Sequence, residues 1–525
     1  LISIIFNKNI IDKLSIIIRF ISSEIKKSFN KNEYNISHKI IFYIIILITF
    51  LIFISSIGPI NHPDASDYHV GYPYQYFIRG GFFVDGGLHQ GLLGIGDYAN
   101  LSFIQEKNTW FIRTLQIINL PILVLFLSNK IKNNIFLLGL ITCPTFIQWS
   151  TIGKPLFLGE SCLIAIFILW KINKSILNLK FLIILSIACI TFKISSLIIS
   201  FTILLDVAIY FKGLNSRRDL YDNLLQILRS KLFIFTIVVL ISLFINRQQI
   251  TGNFAYPLLT NIFNKNDLLI NEFSSFLKSY GREGIFPFNI FLPTSFGELA
   301  QPLGPFIIFT FIYLTIKIKS ISINYPKNNL LFISLCQIIF LLFFSQGRGD
   351  YYISPLILIT YLSNQISLSN NKPLINYIFC LSILIQLTII SAFTSVSVLQ
   401  SINSWKNYNK NMVKTAFGFS SSLTIDKEDP NGVLFTNRNT RLFYPKNYVD
   451  KDLFSKCIHV SNLNKNPNPQ SFCIEKYKIN QIISNENFIK ENNKFKCEKI
   501  NIPLGSRNPF NRINLKQAYC KRKNS

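Results

Sequence analysis

Two carboxylates and two imidazoles fall within eight residues of one another in the string Asn61-His62-Pro63-Asp64-Ala65-Ser66-Asp67-Tyr68-His69. Side chains of these types can move protons or ligate a metal. The same types also make helix caps and turns. Asp67, Asp64 and His69 are therefore candidate catalytic residues, and together a candidate set for a divalent cation. A second group is cationic. Lys154 stands in Gly153-Lys154-Pro155, Lys193 in Thr191-Phe192-Lys193-Ile194-Ser195-Ser196, Arg282 in Gly281-Arg282-Glu283-Gly284, and Arg348 in Ser345-Gln346-Gly347-Arg348-Gly349-Asp350. An ammonium between two apolar runs is costly unless it meets water, a carboxylate or a phosphate, and the plain alternative is a lysine that snorkels to the interface. A planar, permanently charged guanidinium such as that of Arg348 suits phosphate oxygens. Its plain alternative is a structural pair with Asp350.

These groups are carried by a chain made for lipid. Its 525 residues are 50% hydrophobic and only 15% charged, too few charges for a soluble protein of this size. Apolar runs recur from residue 40 to residue 397, and several are shorter than the roughly 20 residues of a full span. Basic residues of short loops belong on the cytoplasmic side. Placing Lys26, Lys27, Lys31 and Lys39 inside puts Lys130 and Lys132 inside, then Lys171, Lys174 and Lys180. The loop of Lys212, Arg217, Arg218, Arg229 and Lys231 must also be inside. Residues 180 to 211 then go out and return as two short helices, with Lys193 at their outer turn; a single tilted span is the alternative. The expected architecture is an all-α polytopic bundle of about eleven crossings. It comprises a cytoplasmic amphipathic segment at 1–39, a transmembrane part at 40–397 with large outer loops at 59–112 and 247–303, and a small extracytoplasmic domain, α/β or mixed, at 398–525.

The formal charge of +27 is spread over loops and tail, which argues for membrane lipids and lipid-linked phosphate as partners and against nucleic acid. Residues 400 to 525 hold 22 basic and 9 acidic side chains. Their four cysteines, Cys457, Cys473, Cys497 and Cys520, are expected to form two disulfides in an oxidising compartment, with all three connectivities open. The remaining cysteines lie in apolar runs and read as small packed hydrophobes.

With this topology the candidate residues all fall on the outer face. The acidic Asp67-Tyr68-His69 string after the first membrane helix, the Phe192-Lys193-Ile194-Ser195 segment, and the late turn from Gly347 through Tyr351-Tyr352 to Pro355 resemble the GT-C superfamily. These are membrane glycosyltransferases that use polyprenyl-phosphate-linked sugars, among them protein mannosyltransferases and aminoarabinose transferases. The resemblance implies inverting transfer of a sugar from a polyprenyl-phosphate donor to a glycan, lipid or protein acceptor. A first-loop aspartate, Asp67 before Asp64, would be the general base or organise a divalent cation, and Lys154, Lys193, Arg282 and Arg348 would hold the donor phosphate. A glycine-rich first loop and the lack of a clear second acidic motif depart from the pattern. A multi-pass transporter or flippase is the alternative class, but transporters keep their charged groups near the midplane. A non-catalytic envelope assembly protein is the other.

Overall fold

The computed structural model describes residues 19, 22–23 and 36–523, apart from 85–86, 105–108, 132–133, 213–216, 266, 281, 283–285, 294–300, 318–324, 367–372, 427–431, 436–439, 486–493 and 504–513. The amphipathic segment expected at the N-terminus, Lys132, and the glycine turns flanking Arg282 lie outside the described residues.

Apolar helices dominate. In chain order they are α1 (Ile36–Ser55), α2 (Ile112–Lys130), α3 (Asn134–Ile141), α4 (Pro144–Ile152), α5 (Leu156–Ile172), α6 (Ile176–Phe192), α7 (Leu197–Lys212), α8 (Lys231–Thr251), α9 (Pro305–Ile316), α10 (Tyr325–Phe344), α11 (Ile353–Ile366) and α12 (Pro373–Lys406). Among the described residues, α2, α7 (extended back to Ile194), α8 and α12 (from Tyr377) are long and apolar enough to span by themselves, while α3 and α4 form one pair bent by 49° at a short break. Length alone thus supports fewer spans than the expected eleven. The rest are short apolar helices packed into the same core, in which Ile45, Leu163, Ile203, Phe306 and Ile357 have no exposed surface. The chain is an integral membrane protein.

Residues 180 to 211 do split, as the basic loops required. α6 ends at Phe192, Lys193 is extended, and α7 starts at Leu197. The reversal is tied to its neighbours by Glu160 on α5, whose carboxylate accepts from Ser196 Oγ (2.9 Å) and from Ser354 Oγ of α11 (2.5 Å). The first loop packs onto this turn through glycine. A Cβ on Gly94 would lie 2.1 Å from the Phe192 carbonyl oxygen, so the backbone approach needs a residue without one. That contact accounts for part of the loop's glycine richness. At the opposite end of the bundle Lys171 of α5 pairs with Asp206 of α7 at 2.5 Å, and Asn329 of α10 donates to the same carboxylate at 2.6 Å.

The C-terminal domain is a mixed sheet. Strands β1 (Gly432–Phe435), β2 (Tyr448–Val449), β3 (Ile479–Asn485), β4 (Phe495–Pro503) and β5 (Asn514–Arg522) lie in the order β2-β1-β3-β5-β4, parallel across β2-β1-β3 and antiparallel across β3-β5-β4. Helix α13 (Lys451–Leu463) and the helix Pro469–Lys476 share a core with Leu434, Ile479 and Ile482 of the sheet. Cys457–Cys473 staples the two helices, and Cys497–Cys520 joins residues directly opposite on β4 and β5. One of the three open connectivities is thereby selected.

Candidate functional site

Connections distant in sequence meet at one end of the bundle and enclose a cavity of about 640 Å³. Its polar wall includes Asp64 and Asp67 of the first loop, Lys154 from the turn between α4 and α5, Lys193 from the α6–α7 reversal, and Arg348 from the turn after α10. Leu197, Ile198 and Leu277 are among the residues of its apolar wall. Residues that topology had sorted to one side therefore do converge.

The cations and carboxylates interlock. Lys154 Nζ lies 3.2 Å from Asp64 and 3.7 Å from Asp350. Arg348 reaches Asp350 at 3.2 Å through Nε and Asp64 at 3.9 Å through Nη1. The Arg348–Asp350 pair weighed from sequence thus forms, inside a larger cluster that also faces the cavity. Burial would raise the Asp350 carboxyl, but Arg348, Lys154 and Lys193 outweigh it and hold the group below the usual carboxylate range. Burial pulls Lys154 down, helped by Arg348. Lys193 is lowered to about 8 by burial and by the neighbouring Lys154 charge. Three buried cations against the two carboxylates Asp64 and Asp350 leave a positive excess that favours a further anion among them. The Arg348 turn is anchored from a distant segment, Gly347 N–H donating to the Tyr280 carbonyl at 3.0 Å. Arg282 lies outside the cavity lining; its Nε and Nη2 donate to the Ser345 carbonyl at 3.2 and 2.6 Å. It braces the turn that carries Arg348.

The first-loop residues separate in role. Asp64 joins the cation cluster. Asp67 lines the cavity too, but its Oδ1 accepts from Arg441 of the C-terminal domain, while Oδ2 faces His89 Nδ1 at 3.8 Å. His69 is buried outside the lining and bonded through Nδ1 to Asp97 at 2.6 Å. Burial, only partly offset by Asp97, lowers it to about 4, so the neutral ring donates to that carboxylate. Asp97 also accepts from Gly94 N–H at 2.9 Å; the pair fastens the loop. Asp64, Asp67 and His69 thus engage separate sets of partners, and among the described residues no three His, Cys, Asp or Glu side chains gather as a metal site. A divalent cation held by Asp64, Asp67 and His69 gains no support from the described residues.

Two residues were not singled out from sequence. His89 lines the cavity, stacked on Tyr68 (centroids 5.0 Å apart, 24°) and edge-on to Phe273 (4.7 Å). Burial lowers its pKa. Arg441 is fully buried between Asp67 and Asp450. A histidine amid glycines and an arginine in a polar tail carry no motif; only their contacts in the folded chain distinguish them.

Two crystal structures of ArnT from Cupriavidus metallidurans superpose on the chain, one bound to undecaprenyl phosphate (TM-score 0.52, 10% identity) and one in the apo state (TM-score 0.53, 9% identity). Each match covers 91% of this chain and 97% of the other. The chain has the ArnT fold. This is the GT-C-like architecture that the resemblance implied, and the ArnT fold extends over the membrane bundle and into the C-terminal domain. No protein-family model and no curated protein matches the sequence.

Proposed function

We propose that the chain is a membrane glycosyltransferase that takes its sugar from a polyprenyl-phosphate carrier at this cavity. The supporting observation is the convergence of Lys154, Lys193 and Arg348 on a cavity whose other wall is apolar. A charged head bound to an isoprenoid chain needs that combination. The ArnT relative was crystallised with undecaprenyl phosphate, which agrees with the same donor class here.

In this reading the bond between the anomeric carbon and the phosphate oxygen breaks, and its electron pair leaves on a phosphate held by the three cations. The acceptor heteroatom attacks the anomeric carbon from the opposite face, and its proton passes to a first-loop carboxylate. Asp64 is preferred to Asp67 for that role. Its side chain is the more open to the cavity, 16% exposed against 5%, and Asp67 is committed to Arg441. The cavity end is assigned to the extracytoplasmic face because Lys171, Lys174 and Lys212 lie at connections of the other end.

The test has two arms. Purified wild type should bind undecaprenyl phosphate, and Lys154→Gln and Arg348→Gln should weaken it at least tenfold, the effect of losing about 1.4 kcal/mol. Asp64→Asn should bind the lipid but alter the glycans or glycolipids outside the cell. Undiminished binding in both cation variants, or an unchanged profile with folded Asp64→Asn, would sink the proposal. A reporter fused after residue 525 reads the orientation.

A further inference from the structure

The first loop and the C-terminal domain meet around His89, and the polar contacts at that seam are made by buried or half-buried groups. Asp450 does two jobs at the start of α13: one oxygen accepts from the Asp452 N–H at 2.7 Å, and the other takes Arg441. Arg441 reaches on to Asp67, and its guanidinium lies over the Tyr72 ring at 4.2 Å. The Arg441 carbonyl accepts from Gln75 Nε2 at 2.7 Å. Asp452 accepts from the Leu88 N–H at 3.0 Å, one residue before the histidine. His89 is thus fixed twice from the C-terminal domain, through the backbone beside it and through the carboxylate facing its ring. The approach depends on Gly71, whose Cβ would lie 2.4 Å from the Ser66 carbonyl oxygen and 3.0 Å from Arg441 Cβ.

The result is a second polar region in the cavity, built by other elements than the three-cation cluster. Its lining includes Tyr68, His89, Lys451 and Asp452. With Nδ1 directed at Asp67, the other imidazole nitrogen is left to accept from a ligand hydroxyl. Asp452 and Lys451 offer an acceptor and a donor, and the Tyr68–His89 stack offers an aromatic surface. Hydroxyls that both donate and accept, on a ring with apolar C–H faces, match this lining better than a net anion or an apolar chain does.

We infer that the C-terminal domain builds an acceptor subsite for a hydroxyl-bearing carbohydrate in this cavity, with His89 as its contact residue and Arg441 as the positioning residue that sets His89 through Asp67. The inference rests on the glycosyltransferase reading for the word acceptor alone; carbohydrate binding and the Arg441 relay can be measured without it. The groups facing His89 are Asp67, Asp452, Arg441 and Asp64, so removing the Arg441 charge leaves carboxylates in excess beside the ring.

The experiment uses the full chain in nanodiscs, with methyl α-mannoside and methyl β-N-acetylglucosaminide as probes in saturation-transfer NMR. Wild type should transfer saturation to at least one glycoside. His89→Phe, which keeps the ring stack and removes both nitrogens, and Arg441→Gln should lose most of the signal, and Arg441→Lys should regain part of it. Acylation of His89 by diethylpyrocarbonate, followed by mass spectrometry and read at a pH high enough that the imidazole is neutral in every sample, should become several-fold faster in Arg441→Gln as the ring loses its fixed position; if that variant does not fold, Asp67→Asn reads the same relay. No signal in wild type, or full signal in His89→Phe, overturns the carbohydrate subsite. An unchanged His89 acylation rate in folded Arg441→Gln and Asp67→Asn overturns the relay. Undecaprenyl phosphate binding is read on the same samples: its absence with glycoside contact intact would count against the proposed donor and leave the subsite standing.

Discussion

If Lys193 holds a phosphate, the affinity for undecaprenyl phosphate must fall as pH rises through the value of that lysine. Burial and Lys154 have already brought it from 10.5 to about 8, against the pull of Asp350, Asp97 and Asp64. The sign follows directly. The ammonium binds the anion; the neutral amine does not, so binding is complete below the free-protein value and weakens above it. The lipid phosphate has its second ionisation near 6, so above pH 7 the charge of the probe is constant and the lysine governs the slope. Linkage then gives a loss approaching tenfold per pH unit, hence about tenfold between pH 7 and pH 9, or about 1.4 kcal/mol. Lys154 is also lowered by burial and adds its own loss at the alkaline end. Tryptophan or probe fluorescence titrations in nanodiscs at fixed ionic strength would measure the curve. Lys193→Arg keeps its charge throughout the range and should flatten it; Lys193→Gln should bind weakly at every pH, with little slope left from this position. A flat wild-type profile, or an equal fall in Lys193→Arg, would refute the assignment of Lys193 to the phosphate.

Three further outcomes follow from buried charges and cross-links. Lys171→Met should lower thermal stability by roughly 3 kcal/mol or more, because Asp206 is left in the bundle without its cation; undecaprenyl phosphate affinity should stay at the wild-type value, since that pair lies at the other end. Replacing Cys457 and Cys473 by Ser should cost about 2–4 kcal/mol of C-terminal domain stability and should be read by proteolysis of α13 and its neighbouring helix. Arg282→Gln should weaken undecaprenyl phosphate less than Arg348→Gln does in the same titration, since Arg282 supports the Ser345 carbonyl and stays out of the cavity.

That Asp64, Lys154, Lys193 and Arg348 share one end of the bundle was legible because the helix reversals are written in loop charges, and loop charge is local. Five basic residues between 212 and 231 were enough to require that 180 to 211 reverse, and the break falls at Lys193. Where the plain and functional readings of one residue compete, local pattern decides less. Asp67 and Asp64 stand three apart in one short string, yet one is held by Arg441 from far along the chain and the other by Lys154 and Arg348. No spacing within the first loop could separate them, because the partner that distinguishes them lies in another domain. His69, part of the Asp67-Tyr68-His69 string, is held by Asp97 outside the cavity lining, while His89, unmarked by any neighbour, lines the cavity.

That difference has a physical origin. Crossing a bilayer commits the chain residue by residue, through hydropathy and charge, so topology can be read in windows of about 20 residues. A buried polar cluster commits nothing locally; each member is tolerable only once the opposite charge arrives. Arg441 shows the consequence. Fully buried, it is stable there only with both Asp67 and Asp450 in place, so the first loop and the C-terminal domain can reach their final packing only together. The carboxylate facing His89 is therefore set by whether the C-terminal domain has docked, and a chain truncated before Arg441 should lose the ordered histidine even where every membrane helix still forms.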